Sequence, residues 1–206
     1  MGRSRKSAAV IAFLVLVTVQ THASEYNVKE YGAKGDKISK DTAAIQAAIN
    51  ACNKAGGGTV YFPAGDYLSG KIRLLSNVNL HVGAGATIWA SREPSDYKDG
   101  RALIVAEDAQ NISVEGLGTL PGIGEADWGR RPKDGDVRGG ANSQENRPSF
   151  RAGMIRFSDC RGVVIRGIRV LFSDTWTIHL RDSENVLVDS ITILNNYFRA
   201  TSDGIA

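Results

Sequence analysis

A strand-like pattern repeats in the second half of the chain with a fixed offset of 23 residues. Within each copy, apolar residues alternate with polar ones, which is typical of strands that bury one face. The apolar positions of the two copies match one to one: Val163, Ile165, Ile168 and Val170 align with Val186, Val188, Ile191 and Ile193. A repeat of this length indicates a β-solenoid, in which each coil pairs with the coils above and below it.

Shorter strand patterns of the same kind occur earlier, at residues 77–82 and 111–114. An ordinary β-sandwich would show similar alternation, so it stays open as the alternative fold. A sandwich does not predict a fixed offset with matched apolar positions. The sequence therefore favours an all-β chain that folds as a parallel solenoid.

One amphipathic helix is predicted ahead of the strands. Its apolar residues Ile45, Ala48, Ile49 and Cys52 fall at helical spacing. We expect Asp41 to cap its first free amides and Gly56–Gly58 to end it. Such a helix would cover the first coil, which otherwise exposes an unpaired sheet end. No comparable cap is visible near Ala206, so we expect the solenoid to be truncated at its C-terminal end.

The repeat lapses over about residues 117–150, where glycine and charged residues replace the alternating pattern. A long loop in a compact protein is usually functional or disordered. We expect this segment to form a mobile loop.

The first 23 residues have the pattern of an export signal. Arg3, Arg5 and Lys6 precede an apolar run from Ala8 to Val19, and Thr21–Ala23 offers a cleavage site. A membrane anchor is the competing interpretation, but twelve residues are too few to span about 30 Å of hydrocarbon. We therefore expect a signal peptide over residues 1–23, one partial β-helix domain over residues 24–206, and a secreted protein.

Removal of the signal neutralises the chain. The sequence has 25 Lys and Arg against 22 Asp and Glu, and three of the basic residues and none of the acidic ones lie in the signal. A neutral mature chain gives no support to nucleic-acid or membrane-surface binding. Cys52 and Cys160 are expected to be buried free thiols, although export also permits a disulfide. The spacing of Cys and His predicts no metal site, and no cofactor is expected.

Four N-terminal segments resemble the start of pectin-degrading β-helix proteins. They are Tyr31–Asp36, Asp41–Ile49, Gly56–Gly58 and Phe62–Tyr67. Two later segments narrow the resemblance: Trp176–Leu180, and Asp203–Ile205 after it, look like glycoside hydrolase family 28, the polygalacturonases. The likeness covers residues 25–206 apart from the expected loop.

This resemblance implies a right-handed parallel β-helix that hydrolyses α-1,4 galacturonide bonds with inversion. In the family an Asn-Thr-Asp triplet supplies one catalytic carboxylate, and Asp203 matches its aspartate. The implied partner is an acidic plant cell-wall polysaccharide such as pectin or polygalacturonate, acted on by a monomer.

The sequence also departs from the family. Thr201 and Ser202 stand where Asn and Thr are usual, and Ala206 stands where a second Asp is common. The family's Asp-Asp, Gly-His-Gly and Arg-x-Lys motifs have no counterpart. We therefore expect this chain to be a fragment that is inactive alone. A non-catalytic polysaccharide-binding β-helix is the alternative, whereas a calcium-dependent lyase is disfavoured because clustered carboxylates are missing.

The candidate catalytic residue is Asp203, which would help to activate water, although an aspartate before glycine is also common in solvated turns. Matching the coils on Ile178 and Ile205 brings Trp176 near it, as a sugar platform or as a corner aromatic. His179 alternates with apolar neighbours and should face outward, at the groove or simply in solvent.

Further candidates for substrate binding are Arg199 and Trp128. Arg199, like Arg181 and the more distant Arg156, could bind the carboxylates of the polymer. The family often places a tryptophan at the groove wall, and Trp128 lies in the expected loop.

Overall fold

Three parallel β-sheets wind through the protein in a computed structural model that describes residues 24–98, 101–124, 151–195 and 203–206. The first sheet contains β1 (Glu25–Asn27), β3 (Gly58–Phe62), β6 (Val78–Val82), β9 (Gln110–Gly116), β12 (Arg161–Arg166) and β15 (Glu184–Asp189). The second contains β2 (Asp36–Lys40), β4 (Gly65–Ser69), β7 (Ala86–Ala90), β10 (Thr119–Pro121), β13 (Arg169–Leu171) and β16 (Thr192–Leu194). The third contains β5 (Ile72–Arg73), β8 (Ala102–Glu107), β11 (Gly153–Ser158) and β14 (Ile178–Arg181).

The chain visits the three sheets in turn, so each coil places its strands beside those of the neighbouring coils. The predicted repeat is confirmed in register: Val163 pairs with Val186, and Ile165 with Val188. The pairs that the structure describes in all three sheets are parallel. The sandwich alternative is therefore wrong, because its sheets would be built mainly from antiparallel pairs.

The core runs along the solenoid axis as rows of stacked apolar side chains. In the third sheet Ile72 pairs with Ile104, Ile104 with Ile155, and Ile155 with Ile178. All four isoleucines are completely buried. Cys52 and Cys160 are also buried and form no disulfide, which confirms the expectation of free thiols. Burial raises the pKa of both thiols.

The predicted helix is present as α1 (Thr42–Lys54), and it packs on the first coil. Its buried residues are the expected ones: Ile45, Ala48, Ile49 and Cys52. Gly56 follows the helix with a left-handed φ of 99°, which glycine adopts without strain. The helix therefore covers the end of the solenoid as predicted.

The predicted role of Asp41 as a side-chain cap is wrong. The side chain of Asp41 makes no capping hydrogen bond to α1. Its Oδ1 instead accepts a hydrogen bond from the Lys34 N–H at 2.7 Å, and its Oδ2 accepts one from the Gly35 N–H at 3.0 Å. The carboxylate is buried and holds the turn before β2, because those two amides have come within its reach.

The loop predicted over residues 117–150 starts too early, since Thr119–Pro121 form β10. Glycine in this segment, which suggested that the strand repeat had ended, instead allows neighbouring coils to approach closely. A Cβ on Gly118 would lie 2.3 Å from Val82 Cγ1, and the Gly118 N–H donates to the Val82 carbonyl at 3.0 Å. Residues 125–150 lie outside the described residues, so the mobility of that part stays a prediction.

The predicted signal peptide, residues 1–23, also lies outside the described residues, and export stays a prediction. Ser24 is already part of the first coil, since its carbonyl accepts a hydrogen bond from the Thr59 N–H at 3.0 Å. In the part of the chain that the structure describes, no helix has the length and apolar character needed to cross a membrane. Two one-turn 3₁₀ helices, Val28–Tyr31 and Pro94–Tyr97, complete the secondary structure of the described ranges.

Candidate functional site

From the third coil on, the connections from the second sheet to the third are longer than the turns that leave the third sheet. The longer connections follow β7, β10 and β13, whereas the turns from the third sheet to β9, β12 and β15 contain two residues each. Loops placed on a rigid scaffold are the usual position of binding and catalytic residues. We call this side of the solenoid the loop edge, and the candidate site lies on it.

Asp203 lies on the loop edge and is exposed to solvent. Its backbone carbonyl accepts a hydrogen bond from the Thr177 N–H at 3.0 Å and another from Thr177 Oγ1 at 2.8 Å. The next carbonyl, of Gly204, accepts one from the Ile178 N–H at 3.0 Å. Ile205 then pairs with Ile178 in a parallel bridge, which confirms the predicted alignment of these two coils. The main chain of Asp203 is fixed while its side chain remains accessible.

Asn195 ties together the two coils that carry this site. Its Nδ2 donates to Thr177 Oγ1 at 2.6 Å, and its Oδ1 accepts from the Ser173 N–H at 3.0 Å. Thr177 is completely buried, so its hydroxyl needs partners inside the protein. The Asn195–Thr177–Asp203 chain of hydrogen bonds supplies them. The sequence analysis missed it, because a Thr and an Asn 18 residues apart show no local pattern.

Trp176 and His179 form the aromatic part of the site. Trp176 is 44% exposed, and its ring centroid lies 4.5 Å from that of His179 at an interplanar angle of 49°. Trp176 precedes Ile178 by two residues, just as Asp203 precedes Ile205, so the two occupy matching positions on adjacent coils. A Cβ on Gly153 would lie 2.6 Å from the Trp176 carbonyl oxygen. Glycine at residue 153 therefore lets the Trp176 segment approach.

Asp174 is a second carboxylate on the loop edge, but it is completely buried. Its Oδ2 lies 3.7 Å from Arg151 Nε, and Arg151 Nε also donates to the Asp174 carbonyl at 2.9 Å. A buried carboxylate is tolerated when it is paired with a cation in this way. Sequence reasoning did not single it out, since Ser-Asp-Thr resembles an ordinary solvated turn.

Basic side chains flank the aromatic pair on the outer face of the third sheet. Arg156 pairs in register with His179, so it is closer to the site than the sequence suggested. Arg181, also exposed, lies 3.7 Å from Asp159 and 3.5 Å from Asp182. Arg199 and Trp128 lie outside the described residues, and their predicted roles are untested. Within the described ranges, no group of three or more His, Cys, Asp or Glu could hold a metal ion.

One loop of the edge, residues 91–98, is anchored by polar contacts. Burial alone would raise the pKa of Asp96, but hydrogen bonds from Ser91 and Lys40 outweigh this effect and lower the pKa. Burial raises the pKa of Tyr97, whose hydroxyl donates to the Ser91 carbonyl at 2.8 Å. These contacts hold this loop in place on the third coil.

Comparison with known proteins finds similarity to β-helix proteins that are named for acting on polysaccharides. The family model "Rhamnogalacturonase A/epimerase, pectate lyase-like" matches residues 26–125. An exopolygalacturonase from Platanus acerifolia is 28% identical over 195 residues, which cover 91% of this chain and 48% of that protein. The mannuronan C5-epimerase AlgE4 from Azotobacter vinelandii is 65% identical over 109 residues, covering 48% of this chain and 20% of the epimerase.

Among solved structures, an exopolygalacturonase from Thermotoga maritima superposes with a TM-score of 0.68 and 28% identity. The match covers 85% of this chain and 48% of that structure. The chain thus spans about half the length of the exopolygalacturonases and a fifth or less of the epimerases that it matches. At the level of fold, these findings and the three parallel sheets agree that the chain is a right-handed parallel β-helix of the pectin-lyase-like, polygalacturonase-like type.

Proposed function

We propose that the protein acts as a glycoside hydrolase on pectin-type polysaccharide, with Asp203 as one of its reacting carboxylates. The observation that carries the proposal is the placement of an exposed aspartate on the loop edge, in register with the Trp176–His179 pair. The similarity to two exopolygalacturonases supports the same class of substrate.

Asp203 would help to activate a water molecule that attacks the anomeric carbon with inversion. Inverting glycosidases use two carboxyl groups about 6.5–9.5 Å apart, one as base and one as acid. Adjacent coils of a parallel solenoid lie about 4.8 Å apart, so staggered residues on neighbouring coils reach that separation. Asp174 is not suited to be the partner, since it is buried and paired with Arg151. The proposal therefore requires a second carboxyl group other than that of Asp174.

Trp176 would bind the flat apolar face of a sugar ring beside Asp203. Aromatic side chains bury apolar area with defined geometry, and Trp176 keeps 44% of its surface exposed while it packs on His179. The tilted imidazole packs against the indole and leaves much of the indole surface open. The exposure of Trp176 therefore favours a sugar-binding platform over a structural aromatic at a corner of the coil.

Substitution D203N in the natural protein tests the proposed hydrolysis. Release of reducing ends from polygalacturonate should fall at least about a hundredfold, since a positioned base contributes 10²–10⁴-fold. The affinity for the polymer should stay within about twofold, because the amide keeps the shape of the side chain. A D203N protein that hydrolyses at the original rate would overturn the assignment of Asp203.

The identity with AlgE4 favours a second candidate, a polyuronide epimerase. The same protein should then be incubated with mannuronan, and its uronate composition read by proton NMR. Epimerisation changes that composition without releasing reducing ends, whereas hydrolysis does the reverse. Binding of either polymer with no product would instead support the non-catalytic polysaccharide-binding alternative.

A further inference from the structure

Two arginines lie on one outward-facing row of the third sheet. Arg73 pairs in register with Val105, Val105 with Arg156, and Arg156 with His179. These residues alternate with the buried isoleucines of the same strands, so their side chains point away from the core. We call Arg73, Val105, Arg156 and His179 the outer row.

The two guanidinium groups of the outer row have no counter-charge among the residues that the structure describes. Arg73 and Arg156 are exposed, and within the described residues neither side chain forms an ion pair or a hydrogen bond. Two arginines of the neighbouring first sheet are paired instead: Arg161 Nη2 lies 2.6 Å from Glu184 Oε2, and Arg166 Nε lies 3.3 Å from Asp189 Oδ2. The outer row therefore presents two cations that are available to a ligand.

The spacing of the row fits a linear polyanion. Arg73 and Arg156 are two coils apart, which corresponds to about 10 Å at 4.8 Å per coil. Half-buried Val105 lies between them and offers apolar contact. His179 is the next member of the row, and its ring packs against Trp176. The row thus leads along the solenoid axis from the second coil to the loop edge that carries Asp203.

We propose that the outer row binds carboxylates of a polyuronide chain that lies along the solenoid axis. This inference rests on the proposed function and names the residues that select an acidic polymer. Arginine is suited to the task because its planar fork donates two parallel hydrogen bonds to one carboxylate. A neutral glycan would leave both guanidinium groups without a partner. The outer row extends the site three coils beyond Trp176, toward the N-terminus.

Binding of oligogalacturonate to variants R73Q, R156Q and the double variant, measured by calorimetry, tests the proposal. Each single substitution should weaken binding about threefold and the double one about tenfold, as for exposed charge pairs that act independently. R169Q is the matched control, because Arg169 is also exposed but lies on the second sheet. R169Q should leave the affinity for oligogalacturonate unchanged. With a fully methyl-esterified oligomer, R73Q, R156Q and the double variant should also bind as the unsubstituted protein does.

The outcomes separate this inference from the proposed function. If the unsubstituted protein binds the oligomer and R73Q and R156Q weaken binding no more than R169Q does, the proposed role of the outer row is wrong. The proposed hydrolysis is not affected by that result. A lack of binding by the unsubstituted protein would overturn both. Unfolding curves in urea that match for all variants exclude an effect through folding, since the substituted side chains are exposed.

Discussion

Asp203 is positioned through its main chain rather than through its side chain. Two hydrogen bonds from Thr177 hold its carbonyl, and the exposed carboxylate is left to the solvent. Preorganised supports of this kind keep a reacting group in place without neutralising it. The accuracy of the proposed site therefore depends on a buried threonine and on Asn195, which donates to that threonine.

Substitution of Thr177 tests this dependence. T177V keeps the volume but removes the hydroxyl, so Asn195 Nδ2 loses its acceptor and the Asp203 carbonyl loses a donor. We expect the free energy of unfolding to fall by about 1–3 kcal/mol. T177S, the control, keeps the hydroxyl and should lose clearly less. Urea unfolding of both variants gives the comparison, and equal losses would show that the hydroxyl is unimportant.

The aromatic and acidic residues of the site could be predicted, whereas its support could not. Trp176, His179 and Asp203 stand next to an apolar strand pattern, so a coil alignment on Ile178 and Ile205 brings them together. Asp174 gave no signal, because local sequence does not distinguish a buried ion-paired aspartate from a solvated one. Arg73 lies on a strand of only two residues, and its direction follows from pairing with Val105.

The helix and the short strands show which elements a local pattern can reveal. α1 was predictable because four apolar residues at helical spacing face one buried surface. β10 was not, since three residues between glycines carry no alternation and depend on pairing with β7 and β13. Asp41 lies just before α1 as predicted, but its predicted hydrogen-bond partners were wrong, because its proximity to α1 in sequence suggested capping. Its carboxylate binds the turn at Lys34 and Gly35 instead.

The two roles of Asp41 predict different costs for its removal. Loss of a helix cap alone would cost about 1 kcal/mol. D41A leaves two part-buried amides without an acceptor, so we expect a loss of about 2–3 kcal/mol in the free energy of unfolding. D41N keeps one acceptor oxygen and should fall between D41A and the unsubstituted protein.

Amide hydrogen exchange locates the effect of D41A. The N–H groups of Lys34 and Gly35 should lose protection first, while the remaining amides of α1 keep theirs. Loss of protection confined to the first turn of α1 would restore the capping role.

At the scale of the whole molecule, the solenoid follows from a repeat that can be recognised directly in the sequence. Each coil must bury the same inward positions, so apolar residues recur at matched places and reveal the register. The offset of 23 residues corresponds to the pairing of β12 with β15. The same logic fails where an insertion breaks the period, as between β10 and β11. The fold was therefore predictable from its regular coils, whereas the course of the inserted loops was not, because insertions carry no repeat.

The isoleucine row of the third sheet gives a test of this stacking. Ile155 is completely buried and pairs with Ile104 and Ile178 on both sides. Ile205 continues the row beyond Ile178, but it is 52% exposed. I155A should therefore lower the free energy of unfolding by about 2–5 kcal/mol, through lost burial and a cavity. I205A, the same chemical change in the same row, should cost less than about 1 kcal/mol.

Urea unfolding of the two variants, followed by circular dichroism, measures this difference. A stack of coils gains stability from buried contacts between neighbours, so the buried Ile155 should contribute more than the half-exposed Ile205. The slope of unfolding free energy against urea should stay the same in both variants, because the surface exposed on unfolding barely changes. Equal losses for I155A and I205A would mean that stability does not follow the coil contacts of the third sheet. In that case the buried isoleucine row would not be what holds the strand under Trp176 and His179 in place.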